Sequence, residues 1–86
     1  MTDPNFVQKE YHRAEDLRRR GNESEAEKVF REAVELGRAA KDKEAMAWAA
    51  AAASGLGVVL RYSGRVGEAA AACRDAISLG ETSGLG

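Results

Sequence analysis

Aromatic side chains are scarce in this chain, 6% of 86 residues as one Trp, two Tyr and two Phe. Without large aromatic plugs a core has to be closed by short side chains on closely approaching backbones, which suits helix packed on helix. Proline occurs once, at Pro4, and runs of Val, Ile, Thr and Tyr that would mark strands are missing. Helix is then the element with consistent support, and an all-α fold is expected. Much of the 44% hydrophobic content is alanine, and a single small domain of this size sits where one core barely outweighs the entropy of folding.

Charge of one sign is also missing: 13 basic and 14 acidic side chains leave a net charge of -1. The summed field steers the chain neither to nucleic acid nor to an anionic membrane. Arg18, Arg19 and Arg20 are the only basic run, and three arginines ending a helix serve its dipole, so nucleic acid is not an expected partner. The stretch from Ala45 to Leu60 is mostly alanine with Ser54, Gly55 and Gly57. It is expected to fall short of the roughly 20 strongly apolar residues that cross a bilayer, and to be a buried helix with no membrane role. Cys73 has no second cysteine to pair with, and no basic start leads into an apolar signal core; the cytoplasm is the expected compartment.

Catalytic constellations are missing too. His12 is the sole histidine, without a nucleophile or metal partner at helical spacing, and is expected to be a solvent-exposed residue. Cys73 lies among alanines and is expected to be an inert buried thiol. No Cys or His cluster has zinc spacing, no Glu-x-x-His pattern occurs, and Gly55 and Gly57 do not follow a strand as a phosphate-binding loop would. The expectation is a protein that is not an enzyme and uses no cofactor and no metal.

What is present is an internal repeat. Leu17 to Gly37 aligns with Leu60 to Gly80 without a gap at an offset of 43, pairing Leu17 with Leu60, Arg18 with Arg61, Gly21 with Gly64, Ala26 with Ala69, Ala33 with Ala76 and Gly37 with Gly80. Each copy reads as helix, turn, helix. Asp3 before Pro4 is a start signal for helix 1, about Pro4 to Arg20, which stops at Gly21 and Asn22. Ser24 and Glu27 are spaced as a capping box, so helix 2 is expected from Ser24 to about Ala40. Its apolar set Ala26, Val29, Phe30, Ala33, Val34 and Leu36 recurs at helical steps. Asp42 caps helix 3, which runs to about Tyr62. Helix 4 covers about Val66 to Leu79, with Gly80 onward as a frayed tail. The chain is thus expected as one domain over 1–86, with copies at about 4–41 and 42–80 and a flexible tail over 81–86.

A glycine in the interhelix turn, then alanine, then a bulky residue four on, then alanine three further, resembles the second half of a tetratricopeptide repeat. Gly21, Ala26, Phe30 and Ala33 carry it in the first copy, and Leu56, Gly57, Gly64, Ala69 and Ala76 in the second. The usual period is near 34 residues; the offset here resembles a longer form common in bacterial regulators, whose second helix ends in a Leu-Gly pair as Leu36 and Gly37 do. Arg38 and Glu81 stand where a terminal proline is usual, Cys73 where an aromatic is usual, and Arg13 with Ala14 where the first-helix Leu and Gly are usual. The resemblance implies four antiparallel helices in hairpins, stacked as a short right-handed superhelix.

It also implies a role as an adaptor or scaffold that binds a peptide or partner helix on the wall formed by helices 1 and 3. The residues there are Gln8, Tyr11, Glu15, Arg18 and Arg19, and in the second copy Ala51, Ser54, Val58, Arg61 and Tyr62. Arginines on such a wall engage carboxylates, or are solvated or paired with nearby Glu residues. The alternative is self-assembly, because two hairpins without a capping helix leave an apolar strip, expected at Ala70, Cys73, Ile77 and Leu79, that a second copy could cover as a homodimer or a helix-swapped oligomer. Trp48 is read as a core residue or as a contact between chains. A third reading is a piece of a longer array.

Overall fold

A computed structural model describes residues 4–84. They form four helices, α1 (Pro4–Arg19), α2 (Glu23–Ala40), α3 (Lys43–Tyr62) and α4 (Val66–Ser83), with no strand among the described residues. Helix α1 packs on α2 and α3, α2 on α3, and α3 on α4, two hairpins laid side by side with α3 at the centre.

The offset of the sequence repeat is also the offset of the backbone. The first hairpin has helix ends at Arg19, Glu23 and Ala40; the second has them at Tyr62, Val66 and Ser83, each 43 residues on. The turns agree in detail. Gly21 has φ 82° and Gly64 φ 81°, left-handed values that cost a glycine nothing and a side chain about 1–2 kcal/mol. The Gly21 N–H donates to the Arg18 carbonyl at 3.0 Å and the Asn22 N–H to the Leu17 carbonyl at 2.9 Å; Gly64 to Arg61 at 3.1 Å and Arg65 to Leu60 at 2.9 Å repeat the pair. Both sets satisfy the last carbonyls of the incoming helix. Asn22 (φ -91°, ψ 69°) and Arg65 (φ -91°, ψ 68°) then lead into the next helix with the same backbone.

Two expected boundaries are corrected. The capping box does not form: α2 starts at Glu23 with Asn22 at its N-cap, without a side-chain cap bond, and Ser24 is exposed. The glycine turn has already set the entry to the helix, and Glu27 is drawn away to arginine partners. Nor does helix 4 stop at Leu79. It continues to Ser83 and ends at Gly84, φ 71°. Its last turn is held by Thr82 Oγ1 donating to the Ser78 carbonyl at 2.9 Å and Ser83 Oγ to the Gly80 carbonyl at 2.8 Å. Asp42 does cap α3, accepting from the Ala45 N–H at 2.9 Å. The start signal at Asp3, and Leu85 and Gly86 of the expected tail, lie outside the described residues.

Small residues set the packing distance. Phe30 is fully buried and its ring lies on Gly55 of α3, where an added Cβ would stand 2.5 Å from the ring edge. A Cβ on Gly37 would stand 2.4 Å from the Ala49 Cβ and 2.6 Å from the Ala45 carbonyl oxygen, so α2 and α3 meet there backbone to backbone. Ala14, Ala26, Ala33, Ala45, Ala49 and Ala52 are all fully buried. Trp48 is half-buried and packs against this core, with its ring 5.6 Å from that of Tyr11, as the core reading expects. Contrary to expectation, α3 reaches the length and mean hydropathy of a bilayer-crossing helix, 20 residues at 1.2. Alanine supplies this hydropathy, and within the fold the helix spends its apolar face on α1, α2 and α4.

Candidate partner-binding groove

Ser54, Val58 and Arg61, three of the residues expected on the binding wall, line one groove with Gly57 of α3 and with Val66, Ala69, Ala70 and Cys73 of α4. The groove encloses about 260 Å³ and is lined almost wholly by apolar atoms. It exists because α3 and α4 approach closely at its floor: a Cβ on Gly57 would lie 3.0 Å from the Cys73 sulfur.

The corresponding groove of the first hairpin is filled. Its floor, Ala14, Ala26 and Phe30, is fully buried beneath α3. In the second hairpin no described helix takes that place, and the residues equivalent to Phe30 and Val34, namely Cys73 and Ile77, are exposed, Ile77 at 63%. Cys73 is therefore not the buried thiol expected from its alanine neighbours. Ala70 is exposed with them, while Leu79 is buried at 7% exposure and faces the core, so it drops out of the expected strip.

The two halves of the expected wall differ in how far their polar groups are already used. On α1, Glu15 accepts from the Tyr11 hydroxyl at 3.2 Å and from Arg18 Nε at 2.9 Å. Tyr11 is half-buried between the rings of Phe30 and Trp48, and its hydroxyl is pushed above its ordinary ionisation range, chiefly by burial and then by the Glu15 charge. Gln8 is half-buried and Arg19 is exposed. His12 is exposed, edge-on to Trp48 at 5.5 Å. On α3, Val58 stands where α1 has Glu15, so Arg61, the counterpart of Arg18, is exposed and has no ion-pair partner among the described residues. Ala51 is half-buried, and Tyr62 is 75% exposed at the helix end.

Away from the groove, the hairpins are clamped by a charge network that sequence spacing did not reveal. Arg65 reaches Glu27 with both terminal nitrogens, at 2.8 and 2.6 Å, and Glu68 with Nε at 2.8 Å; Arg31 joins Glu27 at 3.0 Å and Glu68 at 3.3 Å. The Arg65 hydrogen bonds hold both carboxyls below the usual carboxylate range. Arg38 reaches Asp75 at 3.5 Å. One flank of α4 is thereby tied to α2, and no described helix packs on the opposite flank.

Among the described residues no cluster of three or more His, Cys, Asp or Glu is arranged to hold a metal ion. Residues 49–82 match the tetratricopeptide repeat family, a span that takes in most of α3, the Gly64 turn and nearly all of α4. No curated protein and no solved structure matches the chain.

Proposed function

We propose, from the premise that the second hairpin belongs to the tetratricopeptide repeat family, whose repeats in general mediate protein–protein contact, that this chain is an interaction module with the α3–α4 groove as its main site. The partner is a helix or peptide with a narrow apolar face and a carboxylate beside it. The apolar face enters between Val58 and Val66, and the carboxylate meets Arg61. The first hairpin, related to the second by the 43-residue offset, is read as a divergent copy whose own groove is already occupied by α3.

The observation that carries this reading is the replacement of Glu15 by Val58 at the equivalent position. It leaves Arg61 unpaired at the rim of an apolar groove, where a charge-assisted bond to a carboxylate is stronger than in open water. On the α1 half of the wall, Arg18 already spends its guanidinium on Glu15. Gln8, Tyr11 and Arg19 then act as flanking contacts at most.

The reading is tested by selecting displayed helical peptides against the purified chain. Selected sequences are expected to share an Asp or Glu at a fixed step from their apolar residues, to lose binding with Arg61→Glu, and to keep it with Arg18→Glu. A selected set without a fixed acidic position, or one indifferent to Arg61→Glu, overturns the assignment.

A further inference from the structure

The two ends of the helical stack differ in chemistry. At the start, the outer face of α1 carries exposed Lys9, Arg13 and Asp16, where α3, one offset later, has buried Ala52, Leu56 and Val59. Two of those charges are paired along the helix, Arg13 with Glu10 at 3.2 Å and Asp16 with Arg20 at 3.2 Å. Covering this face with another copy would desolvate these charges, which disfavours head-to-tail stacking even though Phe6 on the same face is 48% exposed. At the other end, α4 presents exposed Ile77 beside Gly80, whose counterpart Gly37 lies in backbone contact with α3. Nothing stands within 4 Å of a Cβ added at Gly80.

Two charges bracket Ile77 on the same helical face. Arg74 lies three residues before it and Glu81 four after, one turn to either side. Both are exposed and neither side chain has an ion-pair or hydrogen-bond partner among the described residues, whereas Glu68 and Asp75, on the other flank of α4, are engaged by Arg31 and Arg38. A cation and an anion two turns apart, with an apolar side chain midway, form a self-complementary pattern. When a second such helix is laid antiparallel, every cation meets an anion.

We propose that a second copy of this chain docks on this stripe in a two-fold pair of antiparallel α4 helices. Ile77 meets Ile77 of the other copy across the axis, Gly80 lets the backbones approach, and Arg74 of each copy faces Glu81 of the other. A two-fold contact of this kind closes on itself. The polar face of α1 points away from it and disfavours growth into a filament. The interface uses the outer stripe of α4, whereas the groove rimmed by Arg61 lies between α3 and α4, so the two sites are separable by mutation.

Sedimentation velocity across a micromolar to millimolar series reads the association directly. A monomer–dimer equilibrium is expected, abolished by Ile77→Lys with helicity and dilute-solution melting unchanged, because Ile77 stands outside the buried core. Arg74→Glu and Glu81→Arg, each alone, are expected to weaken dimerisation by about tenfold or more. Mixing these two single variants is expected to recover a heterodimer at least as tight as wild type, since both cross-pairs are then of opposite sign. Arg61→Glu is expected to leave self-association unaltered. A chain that stays monomeric throughout, a dimer indifferent to Ile77→Lys, or a mixture no tighter than its separate components overturns the proposal.

Discussion

Arg65 grips Glu27 with two nitrogens at once, at 2.8 and 2.6 Å, across the two hairpins. It does so from the N-cap position of α4, the place that Asn22 holds in α2. An end-on guanidinium and a carboxylate one turn into the neighbouring helix fix the register of the hairpins at their turn end, while the small residues fix their spacing.

The clamp has a pH signature. Hydrogen bonding from Arg65, and then from Arg31, lowers the Glu27 carboxyl below its ordinary value of 4.5. A carboxylate whose folded value is depressed contributes stability that is complete above the unfolded value and disappears as pH falls through the folded one. Glu27→Gln is therefore expected to lower the melting temperature at neutral pH and to make no difference in strong acid. Parallel melts of the two proteins from neutral to acid pH check this, and a gap that persists below the carboxylate range contradicts it. Salt should narrow the gap only in part, because the Glu27 side chain is 20% exposed and sheltered from counterions.

Turn geometry and small-residue spacing were legible in the sequence because each depends on residue type alone. Gly21 and Gly64 are required by φ, and Ala33 and Gly37 by the approach of α3. The capping box was misread because Ser24 and Glu27 satisfy a local pattern that a more distant arginine outcompetes, and no single-helix rule sees Arg65. The end of α4 differs from the expected frayed tail because Gly80, Thr82 and Ser83 are small residues of low helix propensity that suggest an end before them. The offset already carried the answer: Gly37 lies inside α2, so Gly80 belongs inside α4, and the left-handed Lys41 that ends α2 has its counterpart in Gly84. The burial of Cys73 was misread because an apolar helical stripe marks a face that wants cover without showing whether cover exists.

Gly37 and Gly80 make the same point energetically. Gly37→Ala pushes a methyl into the Ala49 Cβ and the Ala45 carbonyl, an overpacking expected to cost about 1–3 kcal/mol. Gly80→Ala meets open space and is expected to stabilise the dilute monomer by up to about 1 kcal/mol through helix propensity. Denaturant melts of the two variants at low concentration decide it. Equal effects would mean that the two glycines share a role, against the difference in their surroundings.

Phe30 and Cys73 occupy equivalent positions with opposite exposure. Phe30→Ala is expected to cost about 3–5 kcal/mol, a large part of the roughly 4–13 kcal/mol available to a chain of this length. Cys73→Ala should change stability by no more than about 0.5 kcal/mol. The Cys73 thiol is expected to react with a chromogenic disulfide reagent in native buffer as fast as in denaturant. A thiol released only on unfolding would show that something covers the α3–α4 groove.

Tyr11 reports whether the α1 half of the wall is committed to the fold. Burial raises its hydroxyl above the ordinary value of 10.0, and Glu15 adds to the rise by its charge and by accepting the hydroxyl's hydrogen bond. For an acid whose folded value is raised, the associated stability is complete below the unfolded value and is lost as pH climbs through the folded one. In a Tyr62→Phe background the remaining phenol titrates alone by ultraviolet absorbance, with a midpoint expected above 10.0. Adding Glu15→Gln removes the charge but not the burial, so the midpoint should fall while staying above the ordinary value. The same variant frees Arg18 and makes α1 resemble α3 at this position. A peptide selected through Arg61 should then gain a second, weaker contact at Arg18, readable as tighter binding that Arg18→Glu removes. No change in either midpoint or affinity would show that Glu15 is idle, and that the contrast with Val58 does not explain why the second hairpin carries the site.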